Sequence, residues 1–189
     1  MLSFEQILEK VNAQLDALKY PTAPRGLYEP IRYVLSMGGK RIRPVLLLLT
    51  YSLYRDDNLE QAMPAALGIE TYHNYTLLHD DLMDKAPIRR GKPTVHKVWN
   101  DSTAILSGDT MLILAYRLMQ QCNRTDVLQL FTRTAIEIGE GQQYDMNFEN
   151  RMDVTEAEYI EMIRLKTSVL LACAAKMGAM LGQAPEADA

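Results

Sequence analysis

The chain has 189 residues, 48% of them hydrophobic and 23% charged, with a formal net charge of −4. That is enough to bury a sizeable core in one domain, and an acidic balance argues against a nucleic-acid partner, whose binding rests on phosphate neutralisation. The longest apolar run, Val45 to Leu49, falls far short of the ~20 residues a transmembrane segment needs. The N-terminus carries Glu5, Glu9 and Asp16 rather than a basic stretch before an apolar one, so no signal peptide is expected. Cys122 and Cys173 lack metal-ligand spacing, and a reduced, cytoplasmic setting is the expectation.

Phe4, Ile7, Leu8, Val11, Leu15 and Leu18 recur at helical spacing and predict an amphipathic helix over residues 3–19. The turn YPTAPRG follows, then a second helix marked by Leu27, Ile31, Val34 and Leu35 and closed by Gly38-Gly39. VLLLLTYSLY reads as a buried third helix, with strand the competing assignment, and RDDN as a turn. A further helix begins near Met63-Pro64, proline being tolerated in a first turn. Beyond a basic loop, Asn100 to Ser107 is helical and Asp109 can cap Met111 to Gln121. A long segment runs from Asp126 towards Glu149, and Thr155 with Glu158 forms a capping box for a last helix ending near Leu181. Nothing alternates with period two over a useful length. The prediction is all-α, with antiparallel helices joined by short loops.

Within the helix that begins near Met63, three aspartates, Asp80, Asp81 and Asp84, crowd into the last turn before Pro87. That is the negative end of the helix dipole, where anions are unfavourable. Asp80 and Asp84, at i and i+4, share a face that continues back to Leu77 and His73. Arg89, Arg90, Lys92 and Lys97 follow directly. Carboxylates beside cations fit a hard divalent ion bridging an anionic substrate to the protein. A lone DDxxD is a weak signal, more often a solvated helix end whose surface ion pairs contribute ~0–1 kcal/mol each. The nearby RRGKPT and the earlier GGKRIRP favour the metal reading.

Other segments carry two readings apiece. In GGKRIRP, Lys40, Arg41 and Arg43 follow flexible glycines: Lys40 and Arg43 can converge on phosphate oxygens, or the segment is a helix end followed by surface cations. In GQQYD, Gln142 and Asp145 form a polar patch at i and i+3, or a hydrogen-bonded core patch. Lys166-Thr167 interrupts an apolar helix, where a lysine is also a candidate for snorkelling. His73 alone reads as a core histidine; its place in the Asp80/Asp84 stripe shifts that.

Taken in order, GGKRIRP, the His73-to-Asp84 stripe with DDLMD, RRGKPT, GQQYD and KT closely resemble the trans-prenyl diphosphate synthases, the polyprenyl synthetase family that includes farnesyl and geranylgeranyl diphosphate synthases. The resemblance runs from residue 25 to 181. It implies an isoprenoid synthase fold, with helices around a central cavity, usually a homodimer. It further implies condensation of an allylic diphosphate with isopentenyl diphosphate, assisted by Mg²⁺. By resemblance, Asp80 and Asp84 look like the Mg²⁺ ligands, with Asp81 supporting. Arg89 looks like a contact to the allylic diphosphate, and Lys40, Arg43, His73 and Arg90 match the isopentenyl diphosphate site. Lys166, Thr167 and Gln142 match residues that hold the allylic diphosphate and stabilise the developing cation, with Asp145 beside them. Tyr75 and Thr76 resemble the chain-length positions of short-chain types, which implies C15 to C20 products. Tyr75 stands five residues before Asp80, about 7.5 Å along a helix.

The family carries a second aspartate-rich motif after the KT segment; here the only acids beyond Lys166 are Glu186 and Asp188. The resemblance therefore implies a single prenyl-synthase-like domain over 1–189 that lacks the C-terminal helices, an N-terminal portion with little turnover of its own. Two alternatives stand beside it: a catalytically incomplete helical fragment or non-catalytic assembly partner, and a class I terpene cyclase, against which GGKRIRP and Arg90 argue.

Overall fold

The computed structural model describes residues 2–55, 58–185 and 187. Asp56 and Asp57 of the expected RDDN turn, and the tail acids Glu186 and Asp188, lie outside the described residues. Helix α1 (Phe4–Asp16) opens on a capping box between Ser3 and Gln6 and buries Ile7, Val11 and Leu15, one turn apart. It stops at Asp16, short of the predicted Lys19. Helix α2 (Arg25–Leu35) likewise ends before Gly38-Gly39, which form the following turn at φ of 76° and 144°.

Helix α3 (Ile42–Tyr54) begins earlier than VLLLL, because Pro44 fits a first turn whose N–H groups have no intrahelical acceptor. It is not buried throughout: Leu47, Leu48 and Tyr51 are fully buried, whereas Leu53 is 65% exposed. A 3₁₀ turn, Leu59–Gln61, leads into α4 (Met63–Met83). From Ala65 to Tyr72 every residue of α4 is buried, so this half of the helix has no solvent face. It packs against α1, α2, α3 and the later α6 and α9.

The end of α4 is a Schellman motif rather than a proline stop. The Ala86 N–H donates to the Asp81 carbonyl at 2.9 Å and the Lys85 N–H to Leu82 at 3.2 Å, with Lys85 at φ 52°. Pro87 comes after the helix has already turned. RRGKPT then folds into a small antiparallel ribbon, β1 (Ile88–Arg89) with β2 (Lys92–Pro93), which the absence of alternation did not predict. Its two-residue loop, Arg90-Gly91, has positive φ at both positions, as a type I′ hairpin requires.

After the short α5 (Val95–Val98), the predicted break at Asp109 does not occur. One helix, α6 (Asp101–Gln120), runs through, capped by Asn100, whose Oδ1 accepts the Thr103 N–H at 2.8 Å. Gly108, which stands at that predicted break, is a packing glycine: a Cβ there would collide with the His79 ring on α4. Helix α7 (Thr125–Phe148) follows, then α8 (Glu156–Ile163) with the predicted Thr155/Glu158 capping box. The last predicted helix is not continuous α. A π turn, Arg164–Ser168, separates α8 from α9 (Val169–Leu181).

Among the described residues the chain is all-α apart from the ribbon, as predicted. One apolar cluster gathers Ile7, Leu48, Ile69, Phe131 and Met177; a second gathers Ile31, Leu35, Leu78 and Met111; Tyr75 packs against both. Burying each such side chain contributes about 1.5–3 kcal/mol. These clusters fix α4 and leave its C-terminal half facing a hollow shared with α7 and the π turn. Among the described residues no helix is long and apolar enough to cross a membrane.

Candidate active site

The hollow has a volume of about 490 Å³. Tyr72 lines it towards the middle of α4, its hydroxyl donating to the Ala135 carbonyl at 3.2 Å and its ring edge-on to Phe131. Tyr75, Ile138 and Leu170 give the walls an apolar character. At one end stand Asp80, Gln142, Lys166 and Thr167. Residues that sequence reasoning drew from three separate segments thus share one rim. Thr76 also faces the hollow, its hydroxyl donating to the His73 carbonyl at 2.8 Å. Gln142 Nε2 is buried without a hydrogen-bond partner among the described residues, a donor available to a ligand.

Charge at this rim is paired across the helices. Lys166 Nζ lies 3.0 Å from Asp80 Oδ1 and 2.6 Å from Asp145 Oδ2. Burial works against the ammonium, but its hydrogen bonds to Asp145 and Asp80 outweigh this and hold its pKa above the ordinary lysine value. Arg89 Nε donates to both Asp81 oxygens, at 2.7 and 2.8 Å, while its Nη2 reaches Asp80 at 3.4 Å. Even so, burial raises the Asp81 carboxyl above its usual range. Asp84, the C-cap of α4, is exposed and is not among the residues lining the hollow, though it stands within electrostatic reach of Asp80, Lys166 and Asp145. Its pKa is raised by burial, then by the neighbouring Asp80, with Asp145 adding to it.

Four carboxyl groups, Asp80, Asp81, Asp84 and Asp145, stand against two cations, Lys166 and Arg89, and these oxygen donors with surplus negative charge fit a hard cation such as Mg²⁺. Among the described residues no three acidic, histidine or cysteine groups converge tightly enough to hold one unaided. The donor set is suited to a cation whose remaining ligands are phosphate oxygens and water.

A second hollow, of about 550 Å³, adjoins the first and is cationic, with Lys40, Arg43, His73 and Arg90 around it. Arg43 and His73 face both hollows. Arg43 Nη1 lies 3.3 Å from His73 Nε2, and Arg43 Nε is buried with no partner among the described residues. Burial, reinforced by Arg43, Arg90, Arg89 and Arg41, pushes the His73 pKa down to about 3. The imidazole is therefore neutral near pH 7 and accepts from Arg43.

Sequence reasoning missed three features of this region. Arg41 is not a free cation: it is 5% exposed and bound to Glu70 at 2.6 Å. Glu70 and Asn74, buried one turn apart on α4, were passed over; two amide or carboxylate groups at i and i+4 in an apolar run were the available signal. The π turn was also missed. Gly141 permits it, because a Cβ there would lie 2.7 Å from the Leu165 carbonyl carbon and closer still to the Lys166 nitrogen.

A sequence profile described as Polyprenyl synthetase matches residues 24–189. A geranylgeranyl diphosphate synthase of Methanosarcina mazei is 45% identical over 181 residues, covering 93% of this chain and 56% of its own. A crystal structure of a geranylgeranyl pyrophosphate synthase superposes with a TM-score of 0.94 at 46% identity, covering 99% of this chain and 58% of the other. Heptaprenyl diphosphate synthase from Staphylococcus aureus superposes with a TM-score of 0.92 at 29% identity, covering 99% of this chain and 59% of that one. The chain thus spans a little over half the length of these relatives. With the matched profile, the shared fold and identity at this level, the chain belongs to the polyprenyl synthetase family.

Proposed function

We propose that the protein carrying this segment condenses an allylic prenyl diphosphate with isopentenyl diphosphate to a trans-prenyl diphosphate of C15 to C20, with Mg²⁺ as cofactor. One observation carries the reading: a cationic hollow and an apolar hollow with an acidic rim adjoin and share Arg43 and His73. Two anionic substrates held side by side need separate cation sets, or their repulsion prevents binding. Here Lys40, Arg43 and Arg90 serve one diphosphate, while Lys166 and Arg89 serve the other. The geranylgeranyl diphosphate synthase of M. mazei supports the substrate class and short product.

In this reading Asp80 and Asp84, with Asp81 behind them, would hold the metal, whose Lewis acidity would assist departure of the allylic diphosphate when bound. Lys166 and Arg89 receive the negative charge that develops on the leaving group. Thr167 and Gln142 present dipoles to the carbocation, and the apolar walls keep water from trapping it. Neutral His73 and Arg43 orient isopentenyl diphosphate so that its double bond attacks the cation, and the adduct then loses a proton to the departed diphosphate to give the longer trans-allylic product. The growing chain then extends towards Tyr75 and Tyr72.

Residues 1–189 belong to a single prenyl-synthase-like domain in the same reading, and a second copy completes a homodimer. Ile105, Leu106 and Ile113 on α6, exposed by 47%, 60% and 67%, support an apolar contact. Cys122 and Cys173 are both free thiols, which fits a cytoplasmic setting.

Calorimetry tests the reading. Isopentenyl diphosphate should bind without metal, and a non-hydrolysable allylic diphosphate should bind only with Mg²⁺ present. Allylic binding that is indifferent to Mg²⁺ would overturn it.

A further inference from the structure

Around the cationic hollow, one buried carboxylate faces several guanidinium groups. Glu70 is 2% exposed; its Oε1 accepts from Arg41 Nη1 at 2.6 Å and from Asn74 Nδ2 at 2.9 Å. The same Asn74 Nδ2 donates to the Glu70 carbonyl at 2.8 Å. Both groups are acceptors, so only the amide NH₂ can face them, and the Asn74 orientation is forced. Its Oδ1 must therefore turn the other way, where it meets Arg90 Nη1 at 3.5 Å. Arg90 Nη1 also donates to the Gly38 carbonyl, in the loop ahead of α3.

Arg41 spends its other nitrogens on the protein as well. Nη2 donates to the Leu35 carbonyl at 2.8 Å and Nε to Asn12 Oδ1 at 3.3 Å. With all three nitrogens committed and the side chain buried, it offers nothing to a phosphate. Its charge is matched by Glu70, so the pair adds little repulsion to Arg43 and Arg90. Of the three cations in GGKRIRP, Lys40 and Arg43 are left for a ligand.

We infer that Glu70 and Asn74 are positioning residues of the cationic hollow: Glu70 retires Arg41 into the scaffold, and Asn74 aims the Arg90 guanidinium at the diphosphate. The inference rests on the proposal that this hollow takes isopentenyl diphosphate. Its physical content is preorganisation. A guanidinium held from two sides loses less freedom when an anion arrives, and two elements far apart in sequence, the β1–β2 loop and the turn before α3, are locked to one helix.

Asn74→Ala cuts the link to Arg90 and leaves the Glu70–Arg41 pair intact, so it is the variant least exposed to misfolding. In the ligand-free chain, arginine side-chain NMR should show the Arg90 guanidinium more mobile in Asn74→Ala, and both Arg41 and Arg90 more mobile in Glu70→Gln. By calorimetry, isopentenyl diphosphate should bind Asn74→Ala about tenfold more weakly. Combining Asn74→Ala with Arg90→Gln should cost no more than Arg90→Gln alone, because both remove one interaction. Unchanged Arg90 resonances, or losses that simply add, would overturn the inference. A wild-type chain that ignores isopentenyl diphosphate would sink the functional reading instead, and the arginine spectra would still decide whether the positioning exists.

Discussion

Lys166 and Asp80 are separated by 86 residues of chain, and their charged atoms lie 3.0 Å apart. The same ammonium holds Asp145 at 2.6 Å. It thus sits between a carboxylate of α4 and one of α7 as an internal cation. This bears on how a helix can end in three aspartates: Lys166 and Arg89 offset part of the rim's negative charge from opposite sides. The arrangement also sets up a competition, since a divalent cation and the lysine ammonium would share the Asp80 carboxylate.

Lys166→Gln separates the two roles of the lysine. With the ammonium gone, Mg²⁺ alone should bind the carboxylates more tightly than in wild type. A non-hydrolysable allylic diphosphate should bind at least about tenfold more weakly, having lost a charge-assisted contact. Calorimetric titration with each ligand measures both, and weaker Mg²⁺ binding in the variant contradicts the competition.

Gly141 and Gly139 make a matched pair on α7. A methyl group at Gly141 runs into the π turn, whereas nothing lies within 4 Å of one at Gly139. Gly141→Ala should destabilise by about 1–3 kcal/mol through overpacking and pull Lys166 off Asp80. Gly139→Ala should be neutral or stabilise by up to about 1 kcal/mol, as alanine does in a helix. Denaturant unfolding of the two variants gives opposite signs, or the close approach is not what holds the turn.

Tyr75 packs between Tyr72, at 5.5 Å between ring centroids, and His79, at 4.8 Å. Removing its ring in Tyr75→Ala should deepen the apolar hollow. The expected outcome is a shift of binding preference towards longer non-hydrolysable prenyl diphosphates, and towards longer products in an active enzyme. An unchanged preference would show that Tyr72 and its bond to Ala135 set the depth instead.

His73 gives a pH dependence with a definite sign. Its pKa is lowered to about 3 by burial and the surrounding guanidinium groups, below the unfolded value of about 6.5. Between these values the unfolded chain binds a proton that the native chain excludes. Stability is thus lost as pH falls from about 6.5 towards 3, at up to about 1.4 kcal/mol per pH unit from this group. Urea unfolding midpoints followed across that range should fall less steeply in His73→Gln; identical slopes would mean that other groups carry the effect.

Much of this protein was legible as local pattern. The Thr155/Glu158 capping box, the all-α class and the shared face of Asp80 and His73 follow from spacing, because helix geometry at i+3 and i+4 is fixed by the backbone alone. Gly108 and Lys85 show where local reading fails: the glycine is a contact to His79, and the lysine takes a left-handed turn that its sequence does not announce.

What only the tertiary structure decided is the partner of each charge. Lys40, Arg41 and Arg43 look alike in sequence, yet Arg41 is consumed by Glu70 because α3 packs on α4 there. Lys166 meets Asp80 and Asp145 because a π turn, fitted against Gly141, places it between two helices. Periodicity specifies which residues share a face of one helix. Which charges meet across faces depends on long-range packing, and for the buried Arg41–Glu70 pair burial then makes the pairing costly to break.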